Sequence, residues 1–277
     1  MLSSSVNTNV GAMIALQNLN ATNAQLATTQ NRINTGKSVA NAKDNGAIWA
    51  IAQGQRAEIG ALNAVKQSLD RGVAAVDVAL AAGETVSDLL LQMKEKALAA
   101  TDASLKTAAR AALNEDFVAL RDQIASVTSN AEFNGVNLLE TGATGFQALA
   151  NAQGTSTLTV GAEVMALGST NVTVTASQAI DTLSDATAAL SVVTASIDLV
   201  SGALARLGTK SKALSTHITF VGKLTDALEA GVGNLVDADL AKESAKLQAL
   251  QTKQQLGVQA LGIANQTPQL VLSLFRS

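Results

Sequence analysis

Leucine, valine and isoleucine recur every three or four positions along most of this chain, the spacing of one face of an α-helix. After Ser177, Leu183, Leu190, Ile197, Leu204, Ile218 and Val232 fall on one seven-residue series. Val200, Leu207, Leu214, Val221, Leu228 and Leu235 fall on a second, offset by three. Two interleaved series make one helical stripe. It runs for about fifty residues, roughly 75 Å of helix at ~1.5 Å per residue, so the molecule is expected to be a rod. An earlier block matches it: Leu62, Leu69, Val76 and Leu90, with Val65, Val73, Leu80, Val86 and Met93 beside them. Gly72 and Gly83 interrupt that block at about 1 kcal/mol each relative to alanine. Asp102 or Ser104 can cap a further helix, marked by Leu113, Phe117, Leu120, Ile124 and Val127. Asn134-Gly135 is a turn signal. Three helices that each bury one stripe predict a bundle.

The middle, residues 141–175, is rich in Gly, Thr and Ser and nearly free of charge. TSTLTV (Thr155 to Val160) and NVTVT (Asn171 to Thr175) alternate branched apolar residues with threonine, which predicts a small β-hairpin. It is expected to lie half buried against the rod and to face outward, so that removing residues 145–170 is mild.

The two ends carry thinner stripes. Ala12, Leu19, Leu26 and Ile33 share one series with Leu16, Asn23 and Gln30 on its companion; Leu240, Leu247, Leu250, Leu256, Leu261 and Ala264 mark the other end. Ordering a residue costs about 1–2 kcal/mol of backbone entropy. Burying a large apolar side chain returns about 1.5–3 kcal/mol, and only one residue in three or four here is such a side chain. Pairing the two ends buries one stripe of each and does not close the difference, so other copies of the chain are expected to supply surface. The last residues sharpen this. No charge falls between Lys253 and Arg276, Pro268 is the only proline, and Leu270, Val271, Leu272, Leu274 and Phe275 crowd together. A membrane span needs roughly 20 predominantly apolar residues; Gln254, Gln255, Gln259, Asn265, Gln266 and Gln269 argue against one here.

Composition narrows the function. The chain is 47% hydrophobic but only 2% aromatic, with no Tyr and one Trp. Small residues packing along helices account for that. There is no Cys, which removes disulfides, thiolate metal sites and thiol nucleophiles. A net charge of −3 with mixed signs does not suit a nucleic-acid binder. The N-terminus lacks the basic and apolar blocks of a signal peptide. His217 is the lone histidine and reads as helix surface, since a ligand or general base needs a partner. Asp237 and Asp239 read as caps at a helix start, and no phosphate-cradling glycine motif is present. No cofactor, metal or catalysis is expected.

The opening VNTNVGAMIALQNLNATNAQLATTQNRINTGKSVANAKDNGA resembles the N-terminus of bacterial flagellin. The marks are Asn7-Thr8-Asn9, Asn18-Leu19, Ile33-Asn34-Thr35-Gly36, Asn41-Ala42-Lys43-Asp44, Arg56 and Phe133-Asn134-Gly135-Val136. The closing segment carries Asp237-Ala238-Asp239, Gln254-Gln255, Ala264-Asn265-Gln266, Pro268-Gln269 and Val271-Leu272-Ser273-Leu274. The likeness covers roughly the first 140 and the last 100 residues. It implies a mostly α chain: an elongated helical bundle rod with coiled-coil terminal helices and a small β-hairpin insertion. Residues 1–44 with 235–277 would form an inner coiled-coil domain lining the filament channel. Residues 45–140 with 176–234 would form the outer helical domain, and 141–175 a short variable insertion. The function implied is a filament subunit for swimming, located in the extracellular flagellum; a hook–filament junction protein and a secreted membrane-active helical protein are the alternatives. Implied partners are other copies of the chain, the type III export apparatus, an export chaperone, and cap and hook-junction proteins, with neither nucleic acid nor membrane. Leu16, Leu19, Leu26, Ile33, Leu247, Leu250, Leu261, Pro268, Leu270 and Leu274 would pack the inner core. Lys43, Asp44 and Arg56 would make subunit ion pairs. Ser169, Thr170, Ser177, Ser184, Ser191 and Ser196 are candidates for O-linked glycans. The sequence departs from the family pattern at Asp44-Asn45-Gly46, in place of paired aspartates. It departs again at Gln92, Lys96 and Ala99, where many members carry an Arg-x-x-x-Leu-x-x-Gln stretch contacted by an innate-immune receptor.

Overall fold

The computed structural model describes the backbone of residues 8–274 and the side chains of residues 8–266. The order is α1 (Val10–Thr35), α2 (Gly46–Ala100), α3 (Thr107–Asn130), β1 (Glu132–Phe133), β2 (Val136–Asn137), β3 (Phe146–Leu149), β4 (Thr157–Val160), α4 (Leu183–Val236) and α5 (Leu240–Leu274). The chain is mostly α, with two short antiparallel hairpins, β1–β2 and β3–β4. It divides into two compact units, Met1–Ala57 with Ala227–Ser277, and Glu58–Asp226. The divisions fall inside α2 and α4 rather than at loops.

In the Glu58–Asp226 unit the core follows the heptads. Leu62, Val65, Leu69, Val76, Val86, Leu90 and Met93 of α2, and Phe117 and Ile124 of α3, are buried. On α4 the buried line is Ala186, Val193, Val200, Leu207, Leu214 and Val221. The companion series, Leu190, Ile197, Leu204 and Ile218, is half-buried along its flank, and Leu183 in the first turn is exposed. Asp185 N–H donates to Thr182 Oγ1 at 3.1 Å, so Thr182 caps α4. The start of α3 differs from expectation. Its N-cap is Lys106, with no side-chain cap. Asp102 Oδ1 instead accepts from Ser104 N–H and Ser104 Oγ, both at 2.8 Å, and these bonds hold the Asp102 carboxyl below its ordinary value. Arg110 covers the end of α2, donating from Nε to Ala100 O at 3.0 Å and from Nη2 to Asp102 O at 2.9 Å. Asn134-Gly135 makes the tight turn of β1–β2, with φ of 51° and 80° as a type I′ hairpin needs.

The middle of the chain corrects two expectations. The second hairpin pairs Phe146–Leu149 with Thr157–Val160, so TSTLTV is a strand, but its partner is FQAL and not NVTVT. Residues 171–175 form no strand. Their alternation is still real, because Val172 and Val174 are fully buried. The polar backbone between them is served by side chains: Thr173 N–H donates to Ser196 Oγ at 3.0 Å, and Val172 N–H to Ser169 Oγ at 3.2 Å. Residues 145–170 are also not an outward cover. Ala148, Val160 and Met165 are buried to within 1%. Leu149 N–H donates to Ser68 Oγ of α2 at 3.1 Å, and Ala150 O meets His217 Nε2 of α4 at 2.8 Å. Arg206 of α4 donates twice to Glu163, at 2.8 and 2.7 Å. The segment is a strap across α2 and α4. Gly72 and Gly83 are its seats: a Cβ at Gly72 would lie 2.7 Å from the Phe146 ring, and one at Gly83 would lie 2.7 Å from Leu204 Cδ2 and 3.2 Å from Met165. Their missing side chains are what let strap and helix approach closely.

Among the described residues one helix, α4, is long and apolar enough to cross a membrane by length and composition. Its apolar line from Val193 to Val221 is buried within the unit.

Candidate assembly surface

In the Met1–Ala57 with Ala227–Ser277 unit, α1 packs on α5. The partners run in opposite directions. Asn9 Nδ2 donates to Ala264 O at 2.7 Å, Gln254 Nε2 to Asn23 Oδ1 at 2.7 Å, and Arg32 Nη1 to Glu243 Oε1 at 3.1 Å. Asn9 also caps α1, its Oδ1 accepting from Ala12 N–H at 3.0 Å. Leu19 seats over Gly257. Among the described residues the seam is otherwise small and polar: on α1 only Thr22 and Thr29 are buried, and on α5 Leu250 is.

A backbone clasp closes one end of the pair. Ser38 N–H and Val39 N–H both donate to Val236 O, at 2.7 and 3.2 Å; Ala238 N–H donates to Gly36 O at 2.9 Å; and Lys37 bridges to Asp237. Gly36 ends α1 with φ 69°, the left-handed turn that glycine takes freely. Asp239 caps α5, its Oδ1 accepting from Lys242 N–H at 3.0 Å. Of the two aspartates read as caps, Asp239 fills that role, while Asp237 belongs to the clasp.

Most of the large apolar side chains of α1 and α5 among the described residues keep solvent exposure. Leu19, Leu26, Ile33, Leu247 and Leu261 are half-buried. Met13, Ile14, Leu16, Leu256, Val258 and Ile263 are exposed, from 48% at Leu16 to 69% at Ile263. A protein that stays monomeric rarely leaves so many on one helix pair. The side chains of Pro268, Leu270 and Leu274 lie outside the described residues, as does Phe275.

The other sequence candidates fall as follows. Lys43 and Asp44 are exposed; Asp44 Oδ2 accepts from Ala40 N–H at 2.9 Å and Asn41 N–H at 3.1 Å, holding the loop before α2. Arg56 is half-buried and reaches Gln53 Oε1 at 3.4 Å. Among the described residues none of these three forms an ion pair within the chain. Thr170, Ser177, Ser184 and Ser191 are exposed, and Ser169 is half-buried with its hydroxyl donating to Val164 O at 3.0 Å. Ser196 corrects the glycan set: it is fully buried, with its hydroxyl bonded to Val192 O and Thr173. A transferase cannot reach it in this fold. Gln92 and Ala99 are exposed on α2, and Lys96 between them pairs with Asp116 at 2.6 Å, which raises the lysine pKa. Of the amides on the two terminal helices, Asn23 and Gln254 meet, while Gln30 and Gln255 are exposed. Sequence reasoning missed Arg32 and Glu243 altogether.

Comparison with known proteins bears directly on this pair. Residues 6–144 match the bacterial flagellin N-terminal helical region and residues 190–275 the bacterial flagellin C-terminal helical region. The chain is 58% identical over 276 residues to flagellin FljM of Caulobacter vibrioides, covering 100% of each. It is 38% identical to a flagellin of Brucella melitensis, covering 98% of this chain and 99% of that one. A crystal structure of Bacillus cereus flagellin aligns with a TM-score of 0.49 at 19% identity, over 56% of this chain and 88% of that one. Both helices of the α1–α5 pair lie within the matched regions, and relatives match from end to end. This chain therefore belongs to the bacterial flagellin family, a family of structural proteins, and is a subunit of the flagellar filament.

Proposed function

We propose that the α1–α5 pair is the part of this subunit that packs into the filament core, and that it becomes fully ordered only among other copies. The observation that carries this is the exposed apolar set Met13, Ile14, Leu16, Leu256, Val258 and Ile263 on a pair whose seam, among the described residues, is small and polar. Burial of each such side chain is worth about 1.5–3 kcal/mol, which neighbouring subunits supply and solvent does not. In this reading Leu16, Leu19, Leu26, Ile33, Leu247, Leu250, Leu261, Pro268, Leu270 and Leu274 contribute to the core, and the pair lines the channel. Lys43, Asp44 and Arg56, which form no ion pair among the described residues, meet charges of neighbouring copies.

The same reading covers delivery. The chain leaves the cell unfolded through the flagellar export apparatus, held by an export chaperone, and adds beneath a cap on a filament that begins at the hook-junction proteins. A sequence without Cys and with one Pro suits this route, since prolyl isomerisation takes tens to hundreds of seconds. Thr170, Ser177, Ser184 and Ser191, all exposed, are where O-linked glycans would be carried; intact mass of native filaments tests that.

The deciding experiment is seeded polymerisation. Full-length protein with filament fragments should elongate and pellet. A chain lacking Pro268 to Ser277 should keep its helical circular dichroism and stay in the supernatant. Elongation by the truncated chain at the full-length rate refutes the proposal.

A further inference from the structure

Arg32 is the only charged residue in the 26-residue α1, and Glu243 is the only acidic residue in the 35-residue α5. They lie 211 positions apart in sequence and meet at 3.1 Å. Their side chains retain 32% and 12% of their exposure. One turn before Arg32, Thr29 is fully buried. At this level of the pair Thr29 Oγ1, Arg32 Nε and Glu243 Oε2 are all shielded from solvent without a hydrogen-bond partner. Glu243, with only 12% of its side chain exposed, tolerates displacement poorly, because a mostly buried carboxylate that loses its partner has little water to replace it.

The backbone clasp holds one end of the pair at residues 36–39 and 236–238, and beyond it the described contacts of the seam, Asn23 with Gln254 among them, are small and polar. Helices with small and polar contacts can shift by a turn or a heptad and bury nearly the same surface, and in such seams a single polar pair fixes register. Sliding α5 by one turn in one direction sets Lys246 or Leu247 opposite Arg32. In the other direction it sets Leu240, or Asp239, which caps α5. Sliding by a heptad sets Leu250 or Val236 there.

We propose that Arg32 and Glu243 carry the register set by the clasp into the terminal helix pair, acting within one chain, and so help fix which apolar side chains the pair presents to neighbouring subunits. This rests on the assignment of α1–α5 to the filament core. The test uses Arg32→Glu, Glu243→Arg and the double exchange in the full-length chain, with the critical concentration for seeded polymerisation as readout. Each single exchange should raise it at least about tenfold, and the double exchange should return it to within about threefold of the original. An equimolar mixture of the two single variants should not recover. A double exchange no better than the worse single variant overturns the proposal, and so does recovery in the mixture, which would place the pair between chains. Register itself is read by a short bismaleimide on Asn23→Cys/Gln254→Cys, since the chain has no other cysteine. Intramolecular cross-linking should fall several-fold with Arg32→Glu and return with the double exchange; equal yield in all three overturns the proposal. If the unaltered chain fails to polymerise, the filament-core assignment fails, and the cross-linking arm still decides the register.

Discussion

Replacing Met165 with alanine tests whether the strap is core or cover. Met165 has no exposure, although it lies in a stretch rich in glycine and threonine that reads as a loop. Truncating a buried Met to Ala costs about 2–5 kcal/mol, depending on how far the site collapses. One wall here is Gly83, which has no side chain to move in; the other is Leu204, half-buried and able to lean over. A value near the middle, about 3 kcal/mol, follows. At ~2–4 °C per kcal/mol for a unit of this size, the melting temperature should drop by about 6–12 °C. Gly83→Ala by itself gains about 1 kcal/mol of helix propensity but sets a methyl 2.7 Å from Leu204 Cδ2 and 3.2 Å from Met165. Overpacking of that kind costs about 1–3 kcal/mol, leaving it neutral to mildly destabilising. In the double variant the new methyl enters room that Met165 has vacated, so the combined loss should fall short of the sum by about 1–2 kcal/mol. Urea unfolding followed by far-UV circular dichroism on all four proteins supplies the cycle. A Met165→Ala loss within ~0.5 kcal/mol, typical of surface positions, or strict additivity in the double variant, refutes the reasoning.

Other outcomes follow from the same contacts. Deleting residues 145–170 should lower the melting temperature more than Met165→Ala does, because Ala148 and Val160 leave with Met165; calorimetry measures it. Ser196→Ala should cost about 1–3 kcal/mol, since the Thr173 N–H loses its acceptor in a shielded site; chemical denaturation measures it. Leu261→Glu should suppress seeded polymerisation, while Ser191→Glu, at an exposed position on α4, should leave it near normal; sedimentation separates the two. The Asp102 carboxyl, held down by Ser104, should titrate below the ordinary aspartate value by NMR. Its contribution to the loop is present above the unfolded carboxyl value and is lost as pH falls through the lower folded value. Ser104→Ala should raise the value only part of the way, because the N–H at 104 still donates.

The helices were legible because a stripe of large residues at heptad spacing needs no knowledge of its partner. Leu69, Val76, Leu207, Leu214 and Val221 were picked out and are buried. The strap was legible only in its alternation. Val172 and Val174 are buried as a strand reading requires, yet their backbone is bonded by Ser196 and Ser169. Serines that replace a partner strand leave no periodic trace. Phe146–Leu149, the actual partner of Thr157–Val160, has no β-branched residue to announce it. Gly72 and Gly83 were read as defects of propensity, since a missing side chain does not reveal what will occupy its place. Arg32 and Glu243 leave no mark in the sequence, because a single arginine or a single carboxylate in a polar helix resembles ordinary surface until its counterpart is brought to it.

The backbone bonds that join residues 36–39 to residues 236–238 also change how α1 and α5 come together. With one end of the pair held shut, the two helices need not find each other through solution. They can close progressively from the fastened end, as a zip does, and Arg32 lies within the first turns to engage. Closure of the helix pair is then a local event with a defined starting point.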